Sequence, residues 1–399
     1  MSADPISRRA PSAALVQLAL ALGGFAIGTT EFASMSLLPD FARTLGVDEP
    51  TAGHAISAYA LGVVVGAPVI AVLAARIARR TLLVGLMVLF AVGNGLSALS
   101  PNFETMVIFR FLSGLPHGAY FGVAALVAAS LAAPDKRASA VARVMIGLTV
   151  ATIVGVPLAN AVGQWIGWRW GFVIVAALAA LTAVSVFLLA PREPAPKDAS
   201  PLRELSALAS RRVWLTLGIG AIGFGGMFAV YTYLASTLIE VTHASPAALP
   251  GVLMVFGLGM TAGTLVCAWA ADRALMPAVG AILLWSAGSL ALYPLAVGSL
   301  WTLVPVVFLI GCGGGLGAAL QTRLMDVAGE AQTLAAALNH SAFNTANALG
   351  PWLAGLAVAG GLGWRSTGWV GCALALGGFV IWAVAVWDDR RQTEATAAA

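Results

Sequence analysis

Two charged side chains lie where an apolar chain should carry none: Glu31 and Arg110 each sit well inside a long run of apolar residues. A charge at the centre of a bilayer costs at least about 2.5–3.5 kcal/mol, so such a residue is kept for a partner, a cavity or a reaction. Counted along a helix at about 1.5 Å per residue, Glu31 falls roughly 12 Å and Arg110 roughly 9 Å from the same membrane face. The two can therefore pair. A buried carboxyl whose surroundings change is what proton coupling requires; the plainer role is a static ion pair that fastens two helices. His117 follows Arg110 by two helical turns on the same face, and an imidazole titrates near neutral pH. Beside Pro116 and Gly118 it can equally bond a carbonyl freed by the proline.

A second polar set lies later in the chain. His340, Asn344 and Asn347 share one helix face at spacings of four and three, as do Phe224, Phe228 and Tyr231. Amides are poor lipid-facing residues, so the asparagine stripe points to a substrate cavity: mostly apolar, with a few hydrogen-bonding groups. Tyr231, His340, Asn344 and Asn347 are the candidate substrate-binding residues, although packing is the simpler role for the aromatic stripe. Phosphate loops, catalytic triads and metal-ligand clusters are absent, which argues against an enzyme, a cofactor or a bound metal. Cys267, Cys312 and Cys372 lie in apolar stretches, where a thiol behaves as a small hydrophobe.

The elements that hold these residues follow from composition. Of 399 residues, 60% are hydrophobic and 10% charged, and the mean hydropathy is +0.92. Soluble domains carry roughly 25% charged residues, so the solvent for this chain is a bilayer. Apolar segments fall at about 13–38, 51–75, 81–99, 105–132, 144–164 and 170–190, then at about 213–238, 248–271, 278–298, 301–322, 334–358 and 367–387. They lack the alternation of barrel strands, and backbone in hydrocarbon must bond within its own segment. The predicted fold is all-α, with twelve transmembrane helices. Arg8 and Arg9 before an apolar run resemble a cleavable leader, but the run continues to Leu38 and is expected to remain as the first span.

The segment PREPAPKDASPLRELSALASRR (191–212) gathers proline and charge and divides the chain into 1–190 and 213–399. It reads as a cytoplasmic linker, within which Leu202, Leu205 and Leu208 can form a short surface helix. The halves repeat. Val65-Gly66 through Arg76 aligns with Ala262-Gly263 through Arg273, 197 residues on, and at that offset Phe111, Leu112, Gly114 and Gly118 fall on Phe308, Leu309, Gly311 and Gly315. Gly167-Trp168-Arg169 returns as Gly363-Trp364-Arg365. Duplicated six-helix units are the mark of transporters that rock two bundles about a central site. With the N-terminus inside, 17 of the 21 Lys and Arg residues fall on the cytoplasmic side and only Arg43, Arg169 and Arg365 outside, so both termini are expected in the cytoplasm. Basic residues spread over alternate loops do not form a nucleic-acid surface. The glycine rows Gly114–Gly118–Gly122, Gly62–Gly66 and Gly259–Gly263 have the spacing that lets helices approach closely in lipid.

The segments FAIGTTEFASMSLLPDFARTLGV (25–47), PTAGHAISAYALGVVVGAPV (50–69) and RFLSGLPHGAYFGVAA (110–125) resemble the major facilitator superfamily, in its drug:proton antiporter branch with sugar and chloramphenicol efflux permeases. The resemblance covers nearly the whole chain. It implies proton-driven export of a small molecule from the cytoplasm; the expected setting is a bacterial inner membrane, with a monomer working by alternating access. Gly155 and Pro157 fall where that branch carries its antiporter motif. The family's loop after helix two, Gly-x-x-x-Asp-Arg-x-Gly-Arg-Arg, is here built on Ala71, Ala75, Arg76, Ala78, Arg79 and Arg80, so its acid and both glycines are missing. The acid survives in the second half as Asp272-Arg273. In the family this loop latches one closed state, and a latch based on Ala75 cannot be ionic. Alternatives left open are a sugar or nucleoside uniporter or symporter, and a membrane sensor that kept the fold without transport.

Overall fold

The computed structural model describes residues 12–74, 77–133, 137–192, 205–271, 273–328 and 332–398. Its main helices run up and down in succession. The first six are α1 Ala13–Ser36, α2 Glu49–Ile70, α3 Arg79–Ala98, α4 Phe103–Ala128, α5 Arg143–Ile166 and α6 Arg169–Leu189. The second six are α7 Arg211–Glu240, α8 Pro246–Ala271, α9 Leu275–Ala296, α10 Leu300–Leu324, α11 Gln332–Ala357 and α12 Ser366–Arg391. Eleven are long and apolar enough to cross a membrane. The exception is α11, which has the length but carries Asn339, Ser341, Asn344 and Asn347, all buried against other helices. Its polarity reflects its neighbours, not a place in water.

Local signals start the helices where loops end. Ser12, Asp48, Asn102 and Ser210 each accept the backbone N–H three residues on, which satisfies one orphan donor of the first turn. The hydroxyl of Thr51, and then its N–H, hold the Asp48 carboxyl below the usual carboxylate range. Prolines mark the breaks. At Leu115-Pro116 α4 is interrupted, and α5 widens into a π-turn over Ala151–Gly155 just before Pro157, whose missing N–H cannot bond the carbonyl four residues back. The expected linker helix is a single 3₁₀ turn, Leu205–Ala209; Leu202 lies outside the described residues.

Within the first half α1 packs on α5 and α6, α2 on α4, and α3 on α6; within the second, α8 packs on α10 and α12 on α7 and α9. The glycine rows make two of these contacts. A Cβ at Gly62 would lie 2.2 Å from Phe111 O, and at Gly259 it would lie 2.3 Å from Phe308 O. Gly114 meets Tyr59 O at 2.1 Å, and Gly311 meets Phe256 O at 2.4 Å. Only residues without a side chain allow backbones this close. Gly122 does not belong to the row, because a Cβ there meets nothing within 4 Å.

Exposed tryptophans ring both ends of the bundle. Trp165, Trp170, Trp301 and Trp369 lie at the end remote from the termini; Trp214, Trp269 and Trp387 lie at the termini end. Such belts sit at the two membrane interfaces. At the termini end, Arg211 pairs with Asp388 at 3.3 Å and Arg212 with Asp389 at 3.2 Å, fastening α7 to α12.

Candidate functional site in the interface between the halves

The two halves meet chiefly through α2 against α11 and α5 against α8, with α1 reaching α7 and α4 reaching α11. Among the described residues four hydrogen bonds cross between them. Asn347 Nδ2 donates to Glu31 Oε1 at 3.2 Å, Ser57 Oγ to Ala348 O at 3.1 Å, Gln164 Nε2 to Pro246 O at 3.0 Å, and Ser236 Oγ to Glu49 Oε2. All four lie between mid-membrane and the remote end, so that end is where the halves are tied. A recess of about 300 Å³ remains there, lined by Asp40, Arg43, Gln164, Leu238, Ile239 and Leu249.

Glu31 and Arg110 do not form the ion pair that their similar depths suggested. No carboxylate lies within 4.0 Å of Arg110 among the described residues. Its guanidinium lies 4.2 Å over the Tyr59 ring and 5.4 Å from the Phe172 ring, and it donates to Thr30 Oγ1 and Ser34 Oγ, both at 3.3 Å. Thr30 in turn donates to Asn94 Oδ1 at 2.7 Å. Thr30 and Ser34 stand one residue before and three after Glu31, so Arg110 grips α1 on either side of the carboxyl. Depth alone places two groups at one level; it does not say which way around the helix they point.

His117 is joined to this group through Tyr59, whose hydroxyl lies 2.9 Å from His117 Nδ1. One ring thus holds Arg110 on its face and His117 at its tip. His117 and Phe121 both contact His340 of the second half, at centroid distances of 6.0 and 5.2 Å, and the Phe121–His340 planes are only 3° apart. Sequence reasoning passed over Tyr59, Thr30, Ser34, Asn94 and Phe121. For the first four the available signal was a hydroxyl or amide inside an apolar helix, which needs a partner there; Phe121 carried no such signal.

Of the second-half candidates, Asn347 touches Glu31, while Asn344 Nδ2 donates to its own helix at His340 O, 3.0 Å away. Asn344 Oδ1 and Asn347 Oδ1 are buried without a donor. Tyr231 packs edge-on to Phe32 at 5.3 Å and against Phe256 at 4.4 Å, and Phe32 also stacks on Phe228 at 6.1 Å. These rings form an aromatic wall between the halves, directly beside Glu31.

The motif residues are dispersed. A Cβ at Gly155 would sit 2.3 Å from Thr29 Oγ1, so the π-turn before Pro157 lets α5 close on α1. Arg79 opens α3, and Arg80 donates to Phe187 O while its guanidinium covers the Phe187 ring, tying α3 to α6. Arg273 folds back on its own helix, donating to Trp269 O at 2.8 Å. Arg76 and Asp272 lie outside the described residues.

Two six-helix units, tied at one end around buried polar groups, have the repeat architecture of a membrane transporter. The sequence matches the Major Facilitator Superfamily over residues 20–332 and 243–399, and the chain belongs to that family. It is 40% identical to the inner membrane transport protein YdhP of Escherichia coli K12, over 90% of this chain and 92% of that protein. It is 35% identical to a chloramphenicol resistance protein of Streptomyces lividans, over 84% of this chain and 87% of that one. Among solved structures, the nucleoside transporter NupG superposes with a TM-score of 0.72, covering 93% of this chain and 99% of that one at 14% identity, a likeness of fold alone.

Proposed function

We propose that this transporter exports a small organic molecule of the drug, sugar or nucleoside class in exchange for protons. The observation that carries the reading is Glu31: a carboxyl inside a membrane helix, bonded not within its own bundle but across the interface that must open and close. Only a group that meets different surroundings in the two access states can couple a gradient to the exchange between them. Here separation of the halves changes the partner of that carboxyl. Arg110 holds α1 in place, and Tyr59 links Arg110 to His117 as a candidate route for the proton. Tyr231, His340 and Asn344 present a ring wall with a few polar atoms, suited to a ligand that is largely apolar. The chloramphenicol resistance protein among the relatives points the same way.

In this reading residues 1–190 and 213–399 rock as two units about the linker, the termini face the cytoplasm of a bacterial cell, and the remote end faces outward. The protein works as a monomer in the inner membrane. A cysteine placed at Ser200 then resists a thiol reagent confined to the outside, and ready labelling there would reverse the orientation.

The direct test uses inside-out vesicles with an imposed pH gradient. Wild type is expected to concentrate substrate; Glu31→Gln, which keeps the shape and loses the titration, is expected to lose gradient-driven uptake while retaining some exchange without a gradient. A Glu31→Gln protein that concentrates substrate like wild type makes Glu31 structural.

A further inference from the structure

The buried oxygen Asn347 Oδ1 has no donor. Buried polar atoms are rarely left bare, and one that is bare calls for an explanation. The amide that owns it is already committed on its other side, since Nδ2 donates to Glu31 Oε1 at 3.2 Å. A carboxylate can only accept, so while Glu31 is ionised it cannot serve Oδ1. A carboxylic acid carries one O–H donor and keeps its carbonyl acceptor. Against a carboxamide it can make two hydrogen bonds side by side, one in each direction.

We propose that Glu31 and Asn347 form a proton-dependent lock between the halves: a single bond when Glu31 is ionised, a reciprocal pair when it is protonated, so that the proton closes the remote end. The inference rests on the antiport reading and deepens it by naming a positioning residue in the opposite half. It also gives the cycle a sense. The protonated protein stays tied at the remote end; loss of the proton leaves one bond and an orphaned buried acceptor, and the tie weakens. The tie works with the Ser57–Ala348, Gln164–Pro246 and Ser236–Glu49 bonds, none of which involves Glu31.

Other titratable and charged groups stand nearby. Arg110 and His117 come from α4, Tyr59 from α2, His340 from α11 and Tyr231 from α7, while α5 and α6 bring Gly155 and Phe172, which carry no charge. None of them supplies a donor to Asn347 Oδ1. His117 and His340 contact one another, and their response to pH is separated from that of the lock by changing Asn347 alone.

The test measures the remote end directly. Spin labels at Thr44 and Ala247, exposed positions in the first and second halves, are followed by pulsed electron resonance in a protein whose three cysteines are replaced by alanine. In wild type the longer distance is expected to gain at least about twofold in population as the pH rises from about 5.5 to about 8. In Glu31→Gln the amide offers the second bond permanently, so the short distance dominates at every pH. In Asn347→Ala, and in Asn347→Leu should the alanine variant fold poorly, the population is expected to be independent of pH. Ser57→Ala is the control: it loosens the tie at every pH and keeps the twofold response. A wild-type response in both Asn347 variants overturns the lock, as does a wild-type protein that opens on acidification. Vesicle transport distinguishes the two ideas. If Glu31→Gln abolishes gradient-driven uptake while Asn347→Ala keeps the wild-type distance response, the lock falls and the antiport reading stands. If transport ignores the gradient while the distances follow pH through Asn347, the reading falls and the lock stands.

Discussion

At the offset of 197 residues Glu31 corresponds to Phe228, Tyr59 to Phe256 and Arg110 to Val307, while Gly62, Gly66, Gly114 and Gly118 correspond to four glycines. The halves thus share the positions that set how closely backbones approach and part at the positions that carry charge. The shared set is under a steric constraint: carbonyl oxygens lie 2.1–2.4 Å from where a Cβ would be at Gly62, Gly114, Gly259 and Gly311, and no side chain is tolerated in either copy. The parted set is under an electrostatic one. A buried charge is expensive, and the second copy carries none here, filling the equivalent positions with Phe228 and Phe256. Those rings cross to the first half, where both pack against Phe32, the residue after Glu31.

The comparison can be broken most severely at the shared glycines. Gly114→Leu and Gly311→Leu should be equally damaging, since each drives a branched side chain into a backbone carbonyl. Yield of folded protein after membrane extraction should fall at least about tenfold in both, beyond the few kcal/mol of ordinary overpacking. Full yield from either variant shows that its helix pair does not meet there.

Next comes the charge that only one half owns. Arg110→Ala leaves the Thr30 and Ser34 hydroxyls without their donor and releases α1 from α4. At about 1–3 kcal/mol for each buried group left unpaired, transport per folded molecule should drop tenfold or more. Val307→Ala, at the matching position, should cost only about 1 kcal/mol of packing and leave transport within about twofold. Equal losses from the two changes would mean that Arg110 matters for its bulk.

A smaller and more specific effect is expected at Asn344, whose Oδ1 is buried on α11 without a donor. Asn344→Ala should change the relative rates for substrates with and without a hydrogen-bond donor by about 5–50-fold while protein level holds. Identical kinetics for every compound returns Asn344 to helix packing. The smallest effects should come from Gly122→Ala and Leu126→Val, at open or half-exposed positions of α4. Both should transport like wild type within about 0.5 kcal/mol of stability.

Much of this could be read from residue types alone. The membrane, the helix number and the duplication follow from hydropathy and from one repeated spacing, because a bilayer admits few backbone solutions and a close helix contact admits few residues. Glu31 and Arg110 were marked by type, since charge in an apolar run has few explanations. Their partners were not. Whether Glu31 faces Arg110 or Asn347 depends on helix rotation and on how far the halves have closed, and neither leaves a periodic trace in the sequence. Tyr59, with Arg110 on its face and His117 at its hydroxyl, looks from the sequence like any other buried aromatic. What the sequence determined by itself was the solvent, the helices and the residues too polar to be idle. Which of those residues meet across 316 positions of chain, as Glu31 and Asn347 do, was decided only when two separately packed bundles closed on one another.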